Sequence, residues 1–96
     1  MIISCMGHAK FVIELDNGLR IVTDPYDASC GYPVTANPAD VVLVSQHWGI
    51  HFVRATIADY QRDVARAAIR AGADAVLGGH PHILKGCELI DGKPVF

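Results

Sequence analysis

Four histidines in the second half of the chain, His47, His51, His80 and His82, are the residues best equipped for chemistry. Imidazole is the commonest metal ligand, and it changes charge close to neutral pH. Placed among apolar neighbours, it is favourable only when hydrogen-bonded or bound to a metal. His47 and His80 each follow an apolar run, 41–44 and 75–77, that reads as a strand. Ligands in α/β sheets bind at the carboxyl ends of strands. If the two strands are parallel neighbours, His47 and His80 emerge side by side, and convergence of donors matters to a metal more than nearness in sequence. His80-Pro81-His82 is expected to be extended, with Pro81 biasing His80 to β-region backbone and both imidazoles on one side. The expected ligands are therefore His47, His80 and His82, with His51 or Asp24 as the fourth, for a divalent ion such as zinc or manganese and no organic cofactor.

Other polar positions have plainer readings. Asp24 precedes Pro25 at a strand end and could ligate a metal or orient a ligand, but Asp and Pro are also ordinary turn formers. His8 reads as a residue that caps or pairs within the sheet. Trp48 reads as a core aromatic before it reads as a substrate platform. Gly78-Gly79 reads as a tight turn, because no Walker or GxGxxG pattern surrounds it. No GxSxG occurs, and no nucleophile–His–acid arrangement can be argued from spacing.

The elements that must position these groups are short. Residues 1–6 form an apolar run expected to be a buried strand. Residues 10–15 and 19–23 flank Asp16-Asn17-Gly18, a hairpin signal, because Asn-Gly tolerates the positive φ of tight turns. Residues 25–39 hold Pro25, Gly31, Pro33 and Pro38 and read as an irregular loop. The β-branched run 41–45 fits a strand buried on both faces. One helix is predicted over about 56–71, with Thr56 as N-cap, Ile57, Tyr60, Val64, Ala68 and Ala71 on its apolar face, and Gly72 as a left-handed stop. A strand at 75–77 and a closing hairpin around Asp91-Gly92 complete the pattern. The fold class is α/β: a mixed sheet of about six or seven strands with one main helix, in a single domain over 1–96.

Composition narrows the function classes. The chain is 51% hydrophobic and only 19% charged, which excludes disorder and favours a heavily buried sheet. Its net charge of −2 comes without a basic stripe, so nucleic acid is not an expected partner. Cys5, Cys30 and Cys87 are odd in number and scattered, which reads as reduced thiols packing as small apolar groups. No basic segment leads a long apolar run, and no stretch is long enough to span a bilayer. A cytoplasmic location with no membrane partner is the expectation.

Two resemblances enter on specific segments. Gly7-His8-Ala9-Lys10-Phe11-Val12-Ile13-Glu14, then Ile21-Val22-Thr23-Asp24-Pro25, then Ala39-Asp40-Val41-Val42-Leu43-Val44-Ser45 resemble the N-terminal part of metallo-β-lactamase-fold hydrolases of the small lactonase-like group. That family continues with His-x-His-x-Asp-His, whereas this chain has Gln46-His47-Trp48-Gly49-Ile50-His51, and only His51 falls in register with a ligand. From about residue 40 onward the chain resembles the C-terminal part of poly-γ-glutamate capsule-biosynthesis proteins, of the calcineurin-like metallophosphoesterase fold. Val44-Ser45-Gln46-His47-Trp48-Gly49, Ala71-Gly72-Ala73-Asp74-Ala75-Val76 and Gly78-Gly79-His80-Pro81-His82-Ile83-Leu84-Lys85-Gly86 carry that likeness. The resemblance implies that His47, His80 and His82 stand where that family keeps metal-site histidines. The family commonly has Glu at 51 and His at 79, and its upstream Asp-rich and Asn-His motifs have no counterpart here.

Both implied folds are four-layer sandwiches, and the two resemblances meet near 40–46. A recombined or engineered chain spliced within one strand motif is the simplest origin. The expected function is divalent-metal binding through clustered histidines with little or no catalysis. The alternatives are a working metal-dependent phosphoesterase or hydrolase using a metal-activated water, and a metal-free folding or interaction module. One helix ~10 Å wide covers about two strands spaced ~4.8 Å apart. The expectation is therefore half of an α-β-β-α sandwich completed by a second copy, through a face lined by Ile21, Val42, Val44 and Val76.

Overall fold

A computed structural model describes all 96 residues. Seven strands and one α-helix make a mixed α/β fold with strand order β1-β2-β3-β4-β5-β7-β6. The chain divides into two compact units, 1–43 and 44–96, and the division falls inside β4 (Val41–His47).

In the first unit, β1 (Ile2–Gly7) pairs antiparallel with β2 (Lys10–Glu14), which pairs antiparallel with β3 (Arg20–Thr23). The Asn17-Gly18 signal is realised as expected. Leu15 N–H donates to Leu19 O and Gly18 N–H to Leu15 O, both at 2.9 Å, with Gly18 at φ 86°. Arg20 then pairs twice. Its side chain bridges Glu14 opposite on β2, and its backbone exchanges two hydrogen bonds with Asp40, N–H to Oδ2 at 2.8 Å and O from Asp40 N–H at 2.9 Å. That exchange sets the parallel register in which Ile21 faces Val41. Val12 and Val22 sit opposite each other and are the buried pair of this unit. Lys10 is only 4% exposed, and its ammonium is satisfied by Thr35 O at 2.9 Å.

Burial departs from the sequence reading at two strands. The run 1–6 is a strand but not a buried one. It ends the strand order, and Ile2 and Ile3 remain exposed. The β-branched run of β4 is half-buried rather than covered on both faces. The three cysteines are unpaired but exposed, not packed. Residues 25–39 are irregular apart from a single 3-10 turn, Ala28–Cys30.

The second unit holds the end of β4, α1 (Tyr60–Arg70), β5 (Ala75–Gly79), β6 (Glu88–Ile90) and β7 (Lys93–Val95). The helix starts four residues later than predicted. Thr56 bonds to Arg54 O instead of capping, Asp59 occupies the N-cap position without a side-chain bond, and Gln61 Oε1 takes the Ala58 N–H at 2.6 Å. Its end is as expected. Gly72 at φ 111° donates to Ile69 O at 3.0 Å and Ala73 N–H to Ala68 O at 3.0 Å, the paired bonds of a Schellman stop.

The helix buries Ala65 and Ile69, with Ala68 beside them, and not the predicted Ile57, Tyr60 and Val64 face. The small side chains let α1 approach β5 and β6 closely. Val76, Ala73, Ile90 and Trp48 complete this core, with Val44 and Val95 packed against it. Truncating Ile69 to Ala there would cost ~2–5 kcal/mol. Because Val76 is fully buried, it cannot line an open sheet face, and Val44 is likewise engaged; the residues expected at a self-association face are corrected accordingly. The closing hairpin turns at Asp91-Gly92, both at positive φ, as the sequence predicts.

Candidate metal centre

The end of β4 and the end of β5 are tied by Trp48 N–H donating to Gly79 O at 3.2 Å. His47 is the last residue of β4, and His80 is the first after β5. Their rings lie 4.4 Å apart, centroid to centroid. His51 and His82 also face His80, at 5.2 and 6.0 Å. His80 is therefore the hub of a four-imidazole cluster within the second unit.

The loop between β4 and α1 is held to the turn after β5 by Phe52 N–H donating to Pro81 O at 3.0 Å. The Phe52 ring, largely exposed, stacks on His82 at 5.5 Å and meets His51 edge-on at 5.2 Å. Phe52, Ala55, His80 and His82 all have positive φ (59°, 52°, 91° and 57°). Each such non-glycine residue costs about 1–3 kcal/mol and persists only where surroundings impose it. His80-Pro81-His82 is thus not the extended segment expected. The chain bends after Gly79, with His80 and His82 at positive φ in place of β-region backbone.

Burial lowers the pKa of His80 from its ordinary value of 6.5, and the neighbouring His47, His51 and His82 push in the same direction. The ring is neutral at neutral pH and keeps a lone pair for ligation. Neither contributing segment has a carboxylate: residues 41–58 and 75–87 contain no Asp or Glu. Asp24 belongs to the first unit, with φ 42° and its N–H bonded to Leu43 O. His8, also in the first unit, lies in the turn after β1 and packs edge-on against Tyr26 and Tyr32 at 6.3 and 6.0 Å.

A tetrahedral ion with Zn–N bonds of ~2.0–2.1 Å would place imidazole centroids about 5 Å apart. The three ring pairs that include His80, at 4.4–6.0 Å, bracket that figure, and four imidazoles are a suitable donor set. As the rings lie, however, no three His, Cys, Asp or Glu side chains converge their donors on one point. The donor type and the spacings about His80 are what fit a metal.

Sequence reasoning placed Trp48 in the core correctly but missed what it rests on. Gly78 is a strand residue rather than a turn residue: a Cβ there would collide with Trp48 Nε1 and with Phe96 O. Lys85, also missed, donates from its ammonium to Val53 O and to Thr56 O, the latter at 2.9 Å. No local sequence pattern announces either contact.

The bacterial capsule synthesis protein PGA_cap family matches residues 33–96, covering β4 to β7 and all four clustered histidines. The chain is 43% identical over 58 residues to the PGA biosynthesis protein CapA of Bacillus subtilis (strain 168) and 37% identical over 58 residues to the capsule biosynthesis protein CapA of Bacillus anthracis. Each alignment covers 60% of this chain but only 15% and 14% of those relatives. An uncharacterized protein, y4sH, of Sinorhizobium fredii (strain NBRC 101917 / NGR234) is 46% identical over 39 residues, 41% of this chain and 8% of that protein. No solved structure matches the chain. The strand in which the two resemblances meet lies inside the capsule-family segment, and these comparisons lend no support to the metallo-β-lactamase likeness of residues 1–45. No helix is long and apolar enough to cross a membrane. On the match over 33–96, the chain belongs to the bacterial capsule synthesis protein PGA_cap family.

Proposed function

We propose that this domain binds a divalent transition metal through His47, His80 and His82, with His51 as fourth ligand, and turns over little or no substrate. The observation that carries the reading is the ring spacing about His80. An all-nitrogen set suits zinc better than manganese, which takes carboxylate and water oxygens more readily. Asp24 is set aside as a ligand in this reading because the four imidazoles suffice for a tetrahedral ion. A divalent ion held there would supply Lewis-acid polarisation of a phosphoryl or carbonyl oxygen. The chain's own groups bind and orient, but neither segment offers a carboxylate to bridge two ions or to accept a proton, so efficient hydrolysis is not expected.

Elemental analysis of protein purified without an affinity tag tests the reading, combined with zinc and manganese titration of metal-free protein. Stoichiometric zinc with a raised melting temperature is expected. Absence of bound metal together with an unmoved transition would refute it and favour the second reading, a metal-free interaction module. Robust metal-dependent cleavage of an aryl phosphate, lost in His47→Ala or His80→Ala, would establish the phosphoesterase alternative instead. A recombined origin rests solely on the motif resemblance read in residues 1–45, and a natural locus reading continuously through both halves would refute it. We further infer that the chain self-associates.

A further inference from the structure

We propose that Lys85 is a positioning residue for the histidine cluster, an inference that rests on the metal-binding reading above. Twelve residues, 48–59, join β4 to α1 without regular secondary structure, and His51 and Phe52 lie among them. The near end of this loop is fixed by Trp48 N–H on Gly79 O and Phe52 N–H on Pro81 O. The far end has only one comparable tie to the 80–86 segment: the Lys85 ammonium, donating to both Val53 O and Thr56 O.

Those two carbonyls bracket Ala55, whose φ of 52° marks a strained bend. A compact ammonium with three donors can hold two carbonyls at such a bend while its aliphatic stem stays half-buried. Lys85 is three residues beyond His82, so the same short segment that carries His80 and His82 also grips the loop that carries His51. Releasing the grip lets His51 and the Phe52 ring drift from His80 and His82 without removing any imidazole. Outer groups that orient ligands act in this way, and their loss costs ~10–100-fold in metal affinity.

The test compares wild type, Lys85→Met and Lys85→Arg by amide exchange on metal-free protein and by zinc titration. In Lys85→Met, amides in 49–57 are expected to exchange faster while those of α1 and β5 keep their protection, and zinc affinity is expected to fall ~10–100-fold. Lys85→Arg, which retains a cationic donor, should recover part of both. Wild-type protection and affinity in Lys85→Met would overturn the proposal. Should Lys85→Met unfold globally, Lys85→Gln, which shortens the reach and removes the charge, replaces it in the same comparison: faster exchange confined to 49–57 supports the proposal, and wild-type protection with wild-type zinc affinity overturns it. If wild-type protein binds no zinc, the metal reading fails, but the exchange data still decide whether Lys85 holds the loop.

Discussion

The Trp48 indole rests directly on Gly78, with no room between them for a side chain: a methyl group at that position would meet Nε1 of the ring and, at 2.5 Å, the carbonyl oxygen of Phe96. The contact seats Trp48 in the core one residue after His47, so the packing of the second unit also anchors the start of the histidine cluster.

Gly78→Ala is accordingly expected to destabilise the protein by ~1–3 kcal/mol, the usual effect of overpacking a filled core. Gly86→Ala is the control, since nothing lies within 4 Å of an added Cβ there. Urea denaturation of the two variants checks the difference. Equal midpoints would show that the Trp48 ring can move aside freely.

The geometry makes His80 the hub, and the effects of substitution should follow that rank. At zinc concentrations ~100 times Kd, binding adds about 2.7 kcal/mol, or a rise of about 10–20 °C in melting temperature. His80→Ala should abolish most of this rise, and His47→Ala, His51→Ala and His82→Ala should each reduce it. His8→Ala, in the aromatic cluster of the first unit, should leave it intact. Differential scanning calorimetry with and without zinc gives the ranking, and equal effects of His8→Ala and His80→Ala would contradict it.

Acidification should act on the same hub. The folded-state pKa of His80 lies below 6.5, so as pH falls through 6.5 the unfolded chain takes up this proton first. The stabilisation from keeping His80 neutral is therefore complete above 6.5 and is lost as pH drops towards the folded value. Proton competition should weaken zinc binding as the ring is protonated. An NMR titration of metal-free protein should show His80 protonating below the ordinary histidine range. A midpoint at or above 6.5 would mean that the ring is better solvated, and its neighbours less repulsive, than their placement indicates.

What the sequence discloses here is mainly what is decided locally. Asn17-Gly18, Gly72 and Asp91-Gly92 impose positive φ within a few residues, and all three ends or turns are where the pattern puts them. Helix initiation was misread because Thr56 has two competing engagements: its hydroxyl bonds Arg54 O, and its carbonyl accepts from Lys85, 29 residues away. The exposed face of β1 was misread because an apolar run does not say whether its strand ends the strand order. For the site, the nearness of His47 and His80 follows from reading strand ends. The bend at His80-Pro81-His82 is accompanied by a contact from Phe52 N–H to Pro81 O, a long-range tie that periodicity does not record.

Self-association is the remaining proposal, now aimed at a different residue. Side chains alternate across a strand, so burial of Val76 under α1 leaves Leu77 on the opposite face of β5, where it is 42% exposed. A single helix covers one side of about two strands, and an open apolar face is commonly closed by a second copy about a twofold axis. With Leu77 42% exposed, closing the face over it contributes about 0.6–1.3 kcal/mol, and in an isologous pair it counts twice. Leu77→Lys should therefore weaken association by at least ~10-fold. Light scattering coupled to size exclusion is expected to give a mass of at least twice 10.3 kDa for wild type and the single-chain mass for Leu77→Lys. A wild-type chain that runs as a cooperatively folded monomer at micromolar concentration would rule out the pairing, and an oligomer indifferent to Leu77→Lys would place the interface elsewhere.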